Sequence, residues 1–302
     1  MTRALALSAA GLLLAGCAAT QTAPRAAQEP LSADVLASQV GEKPTPASPP
    51  TGQQWLYGSA EGAVASVQVY RALASYARAV ALSAAPHRQV VLAEGSTPAA
   101  PRFDDCGDKP LAAVFDADET LIWNLGAMRY FAEQQKDFDP GVWDRWEKTG
   151  AGQAVAMPGV VDAVAAMRAA GVTVIVNTNR TAANAKGTED TLRAAGLGEF
   201  RHGETLFLMG DAPDGASKDG RRAQIAARWC VIAMGGDQLG DFAQAFNARE
   251  LSVADRKALA TGGAIADLWG HGWFLLSNPV YGPSIRGGFT DIFPSDIQWE
   301  PK

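Results

Sequence analysis

Three acidic residues, Asp116, Asp118 and Glu119, follow directly on the apolar run Ala112 to Phe115 in the stretch "AAVFDADETLIW". Carboxylates this close repel one another, and burying one is costly unless a cation or hydrogen bonds compensate it. The pattern has two readings: a solvated turn at a strand end, or a site built for a cation and a phosphate. Phosphoryl transfer needs an attacking atom, a proton donor for the leaving oxygen, and positive charge around the transferred oxygens. Asp116 offers a carboxylate nucleophile, the source of an aspartyl phosphate. Asp118 offers a general acid for the leaving group and then a base for water. Farther along, Thr178 offers a hydroxyl to the phosphoryl oxygens, and Lys218 offsets the negative charge. Asp237 completes, with Asp116 and a main-chain carbonyl, a hard oxygen site of the kind octahedral Mg²⁺ prefers. A cation there relieves the repulsion that the acidic cluster would otherwise carry.

Rigid elements must bring these residues together. "LAAVFD" reads as a buried strand ending at Asp116, and "MPGVVDAVAAMRAAG" as a helix with Val160, Val164 and Met167 on one face. "VTVIVNT" is a second strand ending at Thr178, "TEDTLRAAG" a helix closed by Gly196, and "TLFLMG" a third strand. "SKDGRRAQIAARW" is a helix opened by Lys218, and "CVIAMGGD" a fourth strand ending at Asp237. Solidly apolar strands alternating with helices predict an α/β fold, a parallel sheet flanked by helices on both faces. In such sheets ligands sit at the carboxyl ends of the strands, where Asp116, Thr178 and Asp237 fall. Earlier in the chain, "SAEGAVASVQVYRALASYARAVALSA" predicts a long amphipathic helix capped by Ser59, with Glu61 in its first turn. Val64, Val67, Tyr70, Ala74 and Ala77 form its expected inner face. Ala84 to Lys109 reads as irregular. Leu121 to Ala156, with "FDPGVWDRWEKTG" inside it, is long for a connection and reads as a lid or cap.

"FDADET", "VNTNR", Lys218 and "GGDQLGDF" resemble the four ordered motifs of the haloacid dehalogenase superfamily, after the right strands. "WLYGSAEGAVASVQVYRALASY", "FDPGVWDRW" and "SNPVYG" narrow the resemblance to the class C acid phosphatases, also called the lipoprotein e family, over roughly Gln54 to Gly282. The resemblance implies a Rossmann-like fold with a small, mainly helical cap drawn from about 55–85 and 121–156. It implies Mg²⁺-dependent hydrolysis of small phosphomonoesters, nucleoside monophosphates among them, through an aspartyl phosphate. On this sequence Asp116 is then the nucleophile, Asp118 the general acid/base, Thr178 the phosphate-holding hydroxyl and Lys218 the cationic clamp. Mg²⁺ falls to Asp116, to Asp118 through its backbone oxygen and to Asp237, with Asp241 as a supporting group or further metal partner. Trp143 and Tyr281 match aromatic positions that flank a nucleotide base, and Asn124, Asn179 and Arg180 lie close to motif positions near the phosphate.

The sequence departs from the family pattern at two places. Gln238 stands where the family has Asn, and Trp123 takes a place where a small polar residue is common. Both bear on substrate preference. They keep open a second reading, a phosphatase-like lipoprotein that binds a nucleotide or another surface ligand without turnover. Retention of Asp116, Asp118, Lys218 and Asp237 weighs against it. A dehalogenase on the same fold is disfavoured, because that chemistry does not need Asp118.

The chain's 302 residues are 47% hydrophobic, enough for one large core or a core with a small accessory domain. Its net charge of -6 argues against coating a nucleic-acid polymer, which calls for basic faces. "MTRALALSAAGLLLAGC" reads as a secretory signal whose "LLAGC" ending resembles a bacterial lipobox. Cleavage would leave Cys17 as the lipid-modified first residue of an exported lipoprotein held on a membrane surface. Ala18 follows it where an Asp would suggest inner-membrane retention, so the outer membrane is the expected location. Residues 18–52 are rich in Ala, Pro, Thr, Gln and Ser and read as a flexible tether, with the phosphatase domain at 53–302. His87, His202 and His271 show no ligand spacing, which disfavours a zinc or histidine-based hydrolase. Cys106 lies ten residues before Asp116, and Cys230 seven before Asp237. In the superfamily's sheet those two strands are neighbours, so either a disulfide or two buried thiols is compatible with the spacing.

Overall fold

The computed structural model describes residues 48–293, 295–297 and 299–301. The signal segment with Cys17 and most of the tether lie outside the described residues. The tether's end, however, belongs to the folded part. Thr51–Gln53 is a short helical turn, and a Cβ on Gly52 would stand 2.2 Å from the Pro279 carbonyl oxygen, so the chain is packed from Thr51 onward.

In chain order the strands are β1 (Leu111–Phe115), β2 (Ile122–Trp123), β3 (Val155–Ala156), β4 (Thr173–Thr181), β5 (Leu206–Met209), β6 (Cys230–Gly236) and β7 (Trp273–Leu275). The helices that matter below are α1 (Ala60–Ala81), α2 (Leu125–Glu133), α3 (Pro140–Thr149), α4 (Val160–Ala169), α5 (Ala185–Ala194), α6 (Asp219–Arg228) and α7 (Val253–Thr261). Five strands make one parallel sheet in the order β5-β4-β1-β6-β7. The edge strand β7 escaped the sequence reading because its three residues offer too short a run to show a period.

The sheet is buried on both faces, as strands of solid apolar character require. Alternate residues of β1 point to opposite cores: Ala113 and Phe115 join Tyr70, Leu73 and Val164, whereas Ala112 and Val114 join Ile225, Phe246 and Trp273. The same split runs through β4, with Val174 and Val176 on the first side and Ile175 on the second.

Helix α1 starts where expected: the Ser59 hydroxyl accepts from the Gly62 N–H at 2.9 Å. Its inner face is rotated from the expected one. Gly62, Ser66, Tyr70, Leu73 and Ala77 are buried, while Val64 is 55% exposed. An alanine-rich helix has only a weak apolar stripe, so specific contacts set its rotation. Ser66 donates to the Pro158 carbonyl at 2.9 Å, and the Tyr70 hydroxyl donates to the Thr120 carbonyl. Gly159, at φ 88°, permits the close approach, since a Cβ there would sit 3.1 Å from the Val67 Cα. The expected placement of 55–85 in a cap is also revised: Tyr70, Leu73 and Ala77 share the core of the sheet with Phe115. The insertion 121–156 is closed at its base by antiparallel pairing of β2 with β3, Ile122 opposite Ala156 and Trp123 opposite Val155, and its Trp123, Ala127 and Trp146 join the same core.

Cys106 and Cys230 form a disulfide across 124 residues, with Cα atoms 5.1 Å apart. It joins the segment before β1 to the first residue of β6, at the sheet edge opposite the carboxyl ends. Among the described residues, no helix is long and apolar enough to cross a membrane.

Candidate active site

The carboxyl ends of β1 and β6 and the start of α6 bring Asp116, Asp237, Asp241 and Lys218 together. One oxygen from each of Asp116, Asp237 and Asp241 lies within 4.8 Å of the others. The Lys218 ammonium donates to Asp241 Oδ1 at 2.7 Å and also to Asp116 Oδ1. Two glycines let the strand ends come this near. A Cβ on Gly235 would lie 2.7 Å from the Phe115 ring, and one on Gly236 would lie 2.4 Å from the Asp241 Cβ. Asp237 is held on both oxygens: Oδ1 accepts from the Thr120 hydroxyl at 3.0 Å, and Oδ2 accepts from the Asn278 amide at 2.8 Å.

Gln238 adapts to its place. Its amide donates to Asp237 Oδ2 at 3.1 Å and to the Tyr281 carbonyl at 3.2 Å, while its Oε1 has no partner. Gly282, at φ 99°, leaves room for it, because a Cβ there would stand 2.7 Å from the Gln238 amide nitrogen.

Two buried acids and a partly buried third facing one lysine leave excess negative charge, and the pKa directions record it. Burial raises Asp116 well above the ordinary carboxylate range against the pull of Lys218. Burial and then the Asp241 charge raise Asp237 to about 7. Such a set of close, oxygen-only donors fits a hard divalent cation. Asp116, Asp237 and Asp241 are the side chains able to hold it.

Asp118 belongs to a second, neighbouring network. Arg180 donates to its Oδ1 from Nε at 2.9 Å and from Nη2 at 2.8 Å, and Asn124 donates from its amide at 2.9 Å. The Asn124 carbonyl oxygen in turn accepts from Arg180 Nη2 and from the Trp146 indole, both at 2.8 Å. Asn124 and Arg180 are fully buried. Buried polar groups must find partners inside the protein, and both of these bond to Asp118. Of the Arg180 nitrogens only Nη1 is left without a partner.

Glu119 is the hinge between the two networks. It adopts φ 51°, a left-handed conformation that costs a non-glycine residue roughly 1–3 kcal/mol and clusters at functional sites. Its N–H donates to the Ile122 carbonyl at 2.8 Å, and its carboxylate accepts from the Asn124 N–H at 2.9 Å, from the Tyr57 hydroxyl at 3.1 Å and from the Tyr281 hydroxyl. Burial, and then the Asp118 charge, raise its pKa to about 7.

The remaining expected residues are placed as follows. Thr178 is fully buried inside β4, which runs three residues beyond the expected end, its hydroxyl accepting from the Arg180 N–H at 3.2 Å. Asn179 is exposed and ties the loop before Lys218 in place, donating to the Ala216 carbonyl at 2.9 Å and accepting from Arg221. Trp143 is half-buried in the insertion, its ring 5.9 Å from that of Phe138, and has no bond to either network. Tyr281 is committed to Glu119. Trp123 is buried, edge-on to Tyr57 at 5.7 Å, with its indole N–H unpartnered.

Sequence reasoning missed Glu119 as a hub, Tyr57, Thr120, Trp146 and Asn278. A signal existed for Trp146: with Glu147 it lies one helical turn from Trp143, on the side of α3 that is buried. Glu147 holds the end of β4, accepting from the Thr181 N–H at 3.0 Å and hydroxyl at 2.9 Å.

The family model described as HAD superfamily, subfamily IIIB (Acid phosphatase) matches residues 61–284 of the chain. Two solved structures of the class C acid phosphatase from Bacillus anthracis share its fold. The one with tungstate bound is 23% identical, with a TM-score of 0.60 over 77% of this chain and 84% of that one. The other is 24% identical, with a TM-score of 0.59 over the same shares.

Proposed function

Because the chain belongs to subfamily IIIB of the HAD superfamily, the acid phosphatases, and is therefore a phosphomonoesterase, we propose that it hydrolyses small phosphomonoesters through an aspartyl phosphate on Asp116. The observation that carries this reading is the Lys218 ammonium placed between Asp116 and Asp241, beside an Asp118 fixed by Arg180.

The roles follow from what each group can reach. An oxygen of Asp116 attacks phosphorus, the new O–P bond forms, and the ester P–O bond breaks. Asp118 in its acid form gives its proton to the departing oxygen. Water then attacks the same phosphorus, Asp118 as carboxylate takes its proton, and the Asp116–phosphorus bond breaks to free phosphate. Lys218 and the Thr178 hydroxyl offer charge and a hydrogen bond to the phosphoryl oxygens. Asp116, Asp237, Asp241 and the Asp118 main-chain oxygen would hold Mg²⁺, which would supply Lewis-acid stabilisation of the phosphoryl charge.

Nucleoside monophosphates are the proposed substrates, with Trp143 and Tyr281 as aromatic partners of the base. That assignment rests on family resemblance. The proposal also takes the protein to be exported and anchored at the outer membrane by lipid on Cys17, on the sequence of its N-terminus alone.

The test is hydrolysis of p-nitrophenyl phosphate and a panel of nucleoside monophosphates, with and without Mg²⁺. Asp116→Asn should abolish turnover. Unchanged turnover in that variant, or equal rates after chelation, would overturn the mechanism.

A further inference from the structure

A cavity of about 770 Å³ opens on the β7 side of the sheet and reaches Asp237 and Gln238 at the edge of the acidic cluster. Its walls are largely apolar: Val69 of α1, Ala260 of α7, and Trp269, Trp273 and Phe274. Three cations share the lining, Arg256, Lys257 and Arg286. Among the described residues none of the three makes a salt bridge with a carboxylate. Arg256 donates from Nε to the Phe246 carbonyl at 3.0 Å, but its Nη2 is buried without any partner. Arg286 donates to the Leu251 carbonyl at 3.1 Å. Burial, and then the charge of the nearby Arg286, disfavour the charged form of Arg256.

Unpaired cations beside an apolar wall are unfavourable without an anion to meet them. The volume is in the range of small-molecule sites, which combine apolar lining with a few fixed polar groups. The last helical turn of the described chain, Phe289–Ile292, starts just past Arg286 but does not fill the space, since Phe289 is 84% exposed. We propose that this cavity binds a single-chain amphipathic carboxylate, such as a medium-chain fatty acid, with its head on Arg256 and Arg286 and its chain along Trp269, Trp273 and Phe274. Asp237, Gln238 and Leu239 border the far end of the cavity as well, so occupancy touches the acidic cluster, and the carboxylate head is directed to the arginines and not toward Asp237.

The experiment is calorimetric titration of the purified full chain with decanoate below its micelle concentration, with decanol and acetate as probes lacking the charge or the chain. Decanoate should bind at one per chain, and both control probes at least about tenfold more weakly, the size of a lost charge-assisted contact or a lost apolar chain. Arg286→Gln should weaken decanoate about tenfold, and Ala260→Trp, which fills the cavity, should abolish binding. Turnover of p-nitrophenyl phosphate in both variants should stay within about twofold of the parent, which also shows that they fold. The proposal fails if decanoate does not bind, if decanol binds as well as decanoate, or if both variants keep the parent affinity. It fails too if a chain ending at Gly288 binds and the full chain does not, because the C-terminal segment is then the occupant.

Discussion

Arg180 grips Asp118 through two nitrogens, Nε at 2.9 Å and Nη2 at 2.8 Å from the same carboxylate oxygen, with the guanidinium fully buried. The acid/base group of the proposed reaction is therefore held from behind by a planar fork that also fixes Asn124. A lysine presents a point charge and cannot reproduce both contacts.

Arg180→Lys should accordingly lower kcat by about 10²-fold, the lower range of a general acid's contribution, with KM moving far less. Steady-state kinetics on p-nitrophenyl phosphate checks this. A change confined to KM would mean that Arg180 serves substrate binding instead.

Glu119 collects Tyr57, Tyr281 and Asn124 onto one buried carboxylate. In Glu119→Gln one oxygen acceptor becomes an NH₂ donor, so at least one tyrosine hydroxyl can no longer donate to residue 119. Urea denaturation should show a loss of about 1–3 kcal/mol, the cost of an orphaned buried polar group. Tyr57→Phe in the Glu119→Gln background should cost much less than Tyr57→Phe alone. Additive losses would show that the hydroxyl and the carboxylate act independently.

The acidic cluster predicts a pH-dependent response to cation. Asp237 has its folded pKa raised to about 7, above the ordinary unfolded carboxylate value near 4. The stability it contributes is complete below that unfolded value and is lost as pH rises through about 7. With chelator, Tm should fall across that window, and Mg²⁺ should restore it most at the alkaline end. Scanning calorimetry on both sides of the window decides. A Mg²⁺-induced rise of equal size at both ends would contradict the argument.

The Cys106–Cys230 bond closes a loop of 124 residues. In the chain-entropy account a loop of that length contributes about 4–5 kcal/mol by constraining the unfolded chain. The double variant Cys106→Ser/Cys230→Ser should lose a large part of this in denaturant midpoint. It should keep the parent kcat at moderate temperature, because the bond lies at the sheet edge opposite Asp116. Loss of kcat in a variant that remains folded would instead tie the bond to the geometry of β6 and Asp237.

Much of the site was legible in the order of residues. Asp116, Thr178 and Asp237 each end a run of buried apolar residues, and Lys218 opens a helix. Parallel strands place such ends on one edge of the sheet, so period and order alone locate the four. The rotation of α1 was not legible, because an alanine-rich helix has no strong stripe and its contacts with Pro158 and Thr120 come from segments far away in the chain.

What the sequence determined by itself is therefore the α/β class, the catalytic edge and the chemical types gathered there, since these depend on local periodicity and on side-chain chemistry. The tertiary structure alone decided which polar residues bond to one another. Arg180 and Asn124 look like phosphate ligands in a linear motif, yet burial forces their hydrogen bonds inward to Asp118 and Trp146. It also decided that Cys106 and Cys230 meet and that Arg256 and Arg286 share one cavity. Those outcomes depend on distances between residues far apart in the chain, which close packing sets and no local pattern records.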